Sequence, residues 1–234
     1  MALEDFVDHP NDALEGREFR QLVYGRVKVC GLTSGEQAAA AWQAGAVYGG
    51  LIFAPGSARQ LTYGQARAIT AAAPLDFVGV FVDETISQIA CCAERLELAA
   101  VQLHGRESNE YMLELRRHLP EGTEIWKACH VEGQLPAIAS MHCDRVLLDN
   151  FERGPNRSTG VFDWSVLEGL DEKLRRRIVL GGGLTADNAA RAAQFGTWAL
   201  DVNLGVEASA AIKSRPLLDR FFGELRATRR SRRG

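Results

Sequence analysis

Short apolar runs alternate with segments of helical period along most of this chain. Residues 27–30, Val-Lys-Val-Cys, are β-branched and apolar around one lysine, and they predict a strand. Residues 34–44 are alanine-rich and predict a helix, with Gly45 where a helix-ending glycine belongs. Thr33 and Glu36 have capping-box spacing, so Thr33 is the expected N-cap. Further strands are expected at 47–53, 77–82, 99–103, 124–128, 145–148, 178–180 and 198–202. Thr62 and Gln65 form a second capping box, opening a helix to about 72. Helices are also expected at 86–96, 107–118, weakly near 134–140, and from Trp164 with Asp163 as cap. The last two are 186–195 and one from Arg215 or Pro216 to about 226.

Eight strands alternating with helices at about 25 residues per unit favour an α/β fold, a single closed (β/α)8 barrel. An open doubly wound sheet satisfies the same spacing. The stretches Gly31-Leu32-Thr33 and Gly183-Leu184-Thr185 each precede an alanine helix, a weak internal repeat in keeping with repeated units. Residues 1–25 are acidic without a strand pattern and read as an N-terminal arm or linker remnant; 26–227 form the barrel; 228–234 read as a basic, disordered tail.

Composition changes this picture little. A length of 234 residues with 46% hydrophobic content suits one large domain with a real core. A net charge of −3 argues against a nucleic-acid surface, and the five arginines between 226 and 233 read as a solvated end. The five cysteines, Cys30, Cys91, Cys92, Cys129 and Cys143, have neither disulfide-framework nor zinc spacing, which points to a reducing, cytoplasmic setting. Residues 1–25 lack the apolar core of a secretion signal, and no apolar run approaches the roughly 20 residues that span a bilayer.

Candidate chemistry gathers where strands end. Cys30, Gln102 with His104, Asp149, and Asp201 with Asn203 fall at strand carboxyl ends, and Arg59 lies in the loop after the second strand. In a parallel barrel those ends share one face. Singly, each has a plainer reading: a buried thiol as filler, an aspartate as helix cap, a hydrogen-bonded structural histidine. Gly181-Gly182-Gly183 precedes a helix and Asn203-Leu204-Gly205 follows the last strand, the usual phosphate loops of such a barrel. Tight turns are the alternative use of those glycines.

The motifs Lys28-Val29-Cys30-Gly31-Leu32-Thr33, Gly49-Gly50-Leu51-Ile52-Phe53, Val78-Gly79-Val80-Phe81, Val101-Gln102-Leu103-His104-Gly105, Leu147-Leu148-Asp149, Phe162-Asp163-Trp164, Gly182-Gly183-Leu184 and Asp201-Val202-Asn203 occur in this order. Together, over about residues 26–226, the chain resembles the phosphoribosylanthranilate isomerases of tryptophan biosynthesis, which are TIM barrels. The resemblance implies an Amadori rearrangement without cofactor or metal. Cys30 would be the general base and Asp149 the general acid. Arg59 would meet the anthranilate carboxylate, with Gln102, His104 and Asp201 also at the substrate, and Gly182, Gly183, Asn203, Leu204 and Gly205 at the phosphate. The family usually has a hydroxyl residue where Leu204 stands, so backbone N–H groups would carry that contact. The expected partner is a small sugar phosphate, with no nucleic acid and no membrane, and the expected state is a monomer. The acid must keep its proton near neutrality through burial, and the thiol must be partly ionised, aided by a helix N-terminus and by Lys28 if it points inward. One rival is the histidine-pathway isomerase, whose family has aspartate at the Cys30 position and would need a second phosphate site where Asp83 and Glu84 stand. The other is a non-catalytic sugar-phosphate-binding barrel, which would need neither Cys30 nor Asp149.

Overall fold

The computed structural model describes residues 25–150 and 161–231. Residues 1–24, the polar loop 151–160 and residues 232–234 lie outside these, and with them most of the expected arm and the end of the expected tail.

Eight parallel strands close on themselves in sequence order: β1 (Val27–Val29), β2 (Tyr48–Ile52), β3 (Asp76–Phe81), β4 (Ala100–Leu103), β5 (Glu124–His130), β6 (Arg145–Asp149), β7 (Ile178–Leu180) and β8 (Ala199–Val202). β1 pairs with both β2 and β8, so the sheet is a barrel and the open alternative is excluded. The helices outside it are α1 (Gly35–Ala44), α2 (Tyr63–Thr70), α3 (Ile86–Arg95), α4 (Asn109–Arg116), the single turn α5 (Glu172–Arg175), α6 (Ala186–Gln194) and α7 (Arg215–Ser231).

Side-chain alternation divides the molecule into two cores. Val27 and Val29 of β1 are fully buried among the helices, with Leu218, Phe221 and Phe222 of α7 in the same cluster. Each such side chain contributes roughly 1.5–3 kcal/mol by leaving water. Inside the barrel, Val78, Ala100, Trp126, Leu147, Val179 and Ala199 fill one layer, and Cys30, Ile52 and Val80 lie together in another group. Lys28, between two outward valines, therefore points inward, as does Cys30 two residues on.

Several local expectations change. The N-cap of α1 is Ser34, whose hydroxyl accepts from Gln37 N at 3.2 Å. Thr33 instead donates its hydroxyl to the Ala211 carbonyl at 2.8 Å. The Thr62–Gln65 capping box forms as its spacing requires. The weak helix near 134–140 shrinks to a 3-10 turn at Ile138–Ser140. Asp163 caps a 3-10 turn at Trp164–Leu167, accepting from Ser165 N at 3.0 Å. α7 runs past Arg226 to Ser231. A small antiparallel hairpin, β9 (Glu207–Ser209) with β10 (Ile212–Lys213), follows β8 and has no counterpart in the sequence reading.

Candidate active site

The carboxyl ends of the strands surround a cavity of about 750 Å³, within the range of small-molecule sites. Every candidate residue reaches it: Cys30, Arg59, Gln102, His104, Asp149, Gly182, Gly183, Asp201, Asn203, Leu204 and Gly205 all line the wall. Lining is a matter of place and assigns no role.

Cys30 stands one residue past β1 and is 5% exposed. Beneath it Lys28 is fully buried, and its ammonium donates to Asp201 Oδ2 at 3.0 Å and Gln102 Oε1 at 2.9 Å. The register explains the first contact, because Lys28 of β1 pairs directly with Asp201 of β8. Gln102 in turn lies 3.1 Å from His104 Nδ1. Gly50 on β2 leaves room for this group: a Cβ there would sit 2.8 Å from Cys30 Sγ and 3.1 Å from Lys28 Cε. Asp201 Oδ1 is buried and has no hydrogen-bond partner among the described residues.

The electrostatics separate the two central groups. Burial, then the Asp201 carboxylate, pushes Asp149 up to about 6. Burial also raises the Cys30 thiol, with Lys28 pulling the other way. Of the two aids to ionisation read from the sequence, Lys28 does point inward and favours the thiolate, while burial acts against it. Burial opposes the Lys28 charge, yet Asp201 and Cys30 hold that ammonium above the usual lysine value.

The glycine loops are steric necessities. Gly182 has φ +75°, and a Cβ on it would come within 2.8 Å of Asp149 Oδ1 and of Asn150 N. A Cβ on Gly205 would run into the Leu184 carbonyl. Bare backbone can thus meet a ligand beside α6, whose N-terminus favours an anion. Leu204 is half exposed at the rim.

Arg59 is 6% exposed and is gripped through Nε and Nη2 by Glu207 of β9, at 2.6 and 2.5 Å. Sequence reasoning missed Glu207 and Lys213, which no spacing or motif marks. It left the inward face of Lys28 open, although the apolar parity of Val27 and Val29 was there to use. Among the described residues, no cluster of three or more His, Cys, Asp or Glu is arranged to hold a metal ion.

A closed parallel barrel with a thiol and a raised-pKa carboxyl at the carboxyl ends of its strands has the layout of barrel enzymes that move protons on small substrates. Comparison with known proteins narrows the class. The model of the N-(5'phosphoribosyl)anthranilate (PRA) isomerase family matches residues 27–224, and the chain belongs to that family. A tryptophan biosynthesis protein TrpCF of Salmonella typhi is 45% identical over 210 residues, covering 89% of this chain and 45% of that protein. The TrpCF protein of Vibrio cholerae is 45% identical over 208 residues, covering 88% and 43%. The chain therefore spans less than half the length of these curated relatives. The phosphoribosyl anthranilate isomerase of Thermus thermophilus has a crystal structure that superposes with a TM-score of 0.76 at 32% identity, covering 86% of this chain and 98% of that one. Another isomerase structure, in complex with reduced 1-(o-carboxyphenylamino)-1-deoxyribulose 5-phosphate, matches at 31% identity and TM-score 0.68, with the same coverage.

Proposed function

We propose that this cavity converts N-(5'-phosphoribosyl)anthranilate to 1-(2-carboxyphenylamino)-1-deoxyribulose 5-phosphate, with Asp149 as general acid and Cys30 as general base. The observation that carries the assignment is one cavity holding both a half-buried carboxyl raised to about 6 and a buried thiol beside a cationic lysine. Asp149 gives its proton to the ribose ring oxygen, the C1'–O bond breaks, and the nitrogen lone pair forms the C=N bond. Cys30 as thiolate then takes the C2' proton. The electrons left behind form C1'=C2' and return the C=N pair to nitrogen. The enolamine loses its C2' hydroxyl proton and gains one at C1', leaving the ketone. The substrate nitrogen is the electron sink, so no cofactor enters.

The relative solved with the reduced product analogue supports a sugar-phosphate ligand. The phosphate lies against Gly182, Gly183, Asn203, Leu204 and Gly205, the carboxylate against Arg59, and Gln102, His104 and Asp201 face the ribose. The chain acts as a monomer in the cytoplasm, without nucleic acid. No described helix is long and apolar enough to cross a membrane. The test is direct: mixing the protein with freshly made phosphoribosylanthranilate should extinguish the anthranilate fluorescence. A signal no faster than the buffer blank sinks the reading.

A further inference from the structure

Glu207 sits on the small hairpin that follows the glycine loop after β8. It accepts from Arg59 Nε and Nη2. The Lys213 ammonium donates to Glu207 Oε1 at 2.8 Å, to Asn203 Oδ1 at 2.8 Å and to the Asn203 carbonyl at 3.1 Å. The result is an unbroken chain from Arg59 through Glu207 and Lys213 to Asn203. It is sealed from water: the three charged side chains are 7, 4 and 0% exposed. Buried ion pairs are a poor source of stability, because desolvation cancels most of the attraction; what they supply is fixed geometry.

That geometry bears on recognition. A guanidinium has two forks able to grip a planar carboxylate, Nε with Nη2 and Nη1 with Nη2. Glu207 occupies the first, which leaves the second for a ligand in the cavity that Arg59 lines. Gly31, at φ +73°, lets the arginine pass, since a Cβ there would collide with Arg59 Cδ. At the far end of the chain, Asn203 belongs to the loop assigned above to phosphate. Burial opposes the Glu207 charge, but Arg59 and Lys213 outweigh it and hold the carboxylate ionised.

We propose that Glu207 is a positioning residue for substrate recognition: it turns Arg59 so that its free fork meets the aromatic carboxylate and, through Lys213, ties that grip to Asn203 at the phosphate end. The inference rests on the isomerase reading above. It makes the hairpin a spacer that fixes the separation of two anion grips, so a ligand must carry both anions at that separation.

Calorimetry on the full chain tests it with two ligands: reduced 1-(o-carboxyphenylamino)-1-deoxyribulose 5-phosphate, and the same molecule without its carboxylate. The unaltered protein should prefer the first by about 100-fold, the worth of a charge-assisted bidentate contact. Glu207→Gln should cut that preference to about tenfold or less, by weakening the carboxylate ligand alone. Since Glu207→Gln leaves two buried cations unopposed, the double variant Glu207→Gln/Lys213→Gln, which keeps the cluster's net charge, serves as a second probe. Its preference ratio should fall likewise, even where Asn203 loses its partner and both ligands weaken. A ratio unchanged in both variants, with the unaltered protein active, overturns the positioning role and leaves the hairpin purely structural. An unaltered protein that binds neither ligand and turns over no phosphoribosylanthranilate brings down the isomerase reading, and this inference with it.

Discussion

Two lysines lie in the barrel wall on strands that face each other across the barrel, and they are used in opposite ways. Lys28 on β1 points into the barrel and Lys127 on β5 points out of it, because Val27 and Val29 flank the first on the outer side while Trp126 and Ala128 flank the second on the inner side. Lys127 is fully provided for: Glu107 at 3.0 Å and the carbonyls of Leu103, Gly105 and Ala128 at 3.0–3.3 Å. Its partner Glu107 also accepts from Asp83 N and Gly105 N, and its side chain is 1% exposed. Lys28 is shared among Gln102, Asp201 and the Cys30 thiol, and one oxygen of its carboxylate partner, Asp201, goes without among the described residues. A closed network holds a wall together. An open one beside a cavity keeps bonding capacity for a ligand, and it costs stability to keep.

The largest effects should come from the groups that the inner pair flanks. Asp149→Asn and Cys30→Ser should each lower kcat by about 10²–10⁴ while product affinity stays within a few-fold, read from stopped-flow fluorescence and calorimetry. Collapse of affinity with kcat intact would make them binding residues. Next, Lys127→Met should lower the unfolding free energy by about 3 kcal/mol, since it strands a sealed carboxylate, with turnover per folded molecule unchanged. Lys28→Met should do the reverse, costing less stability, because cavity water reaches Asp201, and about tenfold in kcat/KM. Equal stability losses and equal turnover for the two lysines, in chemical denaturation and initial-rate assays, would erase the distinction.

A subtler test is pH. Asp149 ionises at about 6 and the Cys30 thiol above its usual value, so the pair that the proposed roles require, Asp149 protonated with Cys30 ionised, is the minor form after loss of one proton. That form grows as pH rises through about 6 and vanishes once the second proton leaves. The kcat/KM profile should therefore be a plateau between those limits. Removing Lys28, which favours the ionised form of both groups, should move both limbs upward. A single-sided profile would break the acid–base assignment. The smallest effect is a control outside both networks: Ser34→Ala should cost about 1 kcal/mol of stability through the lost N-cap and nothing in kcat.

The barrel was legible because its elements repeat one signal, an apolar run, a capped helix and a glycine, often enough to survive local errors. The site was legible in outline because strand-end residues converge once the barrel closes; Cys30, Asp149 and both glycine loops needed no side-chain detail to place. What escaped was set by contacts far apart in sequence. Thr33 looked like the cap of α1, but the Ala211 carbonyl claims its hydroxyl, and Ser34 caps instead. The hairpin is too short for a periodic signal, and its turn uses Ala211 at φ +66°, where a glycine would have announced it. The opposing pull of burial on the Cys30 thiol escaped for a similar reason. A helix start can be read from sequence, whereas the depth at which a thiol is buried depends on the whole wall.

The hairpin also has a bearing on how the molecule is made. Its Ala211 carbonyl is bound by Thr33 and Gln37, and its Glu207 by Arg59, so the last unit of the chain is stitched to the first two. β1 likewise waits for β8 as its second neighbour. Contacts of such long sequence separation form late, because loop closure must be met before they give anything back. A chain emerging from the ribosome therefore holds Arg59 long before it holds Glu207, its hydrogen-bond partner. Until residue 207 is out and folded, the nascent barrel has the Arg59 guanidinium without the carboxylate that pairs with it.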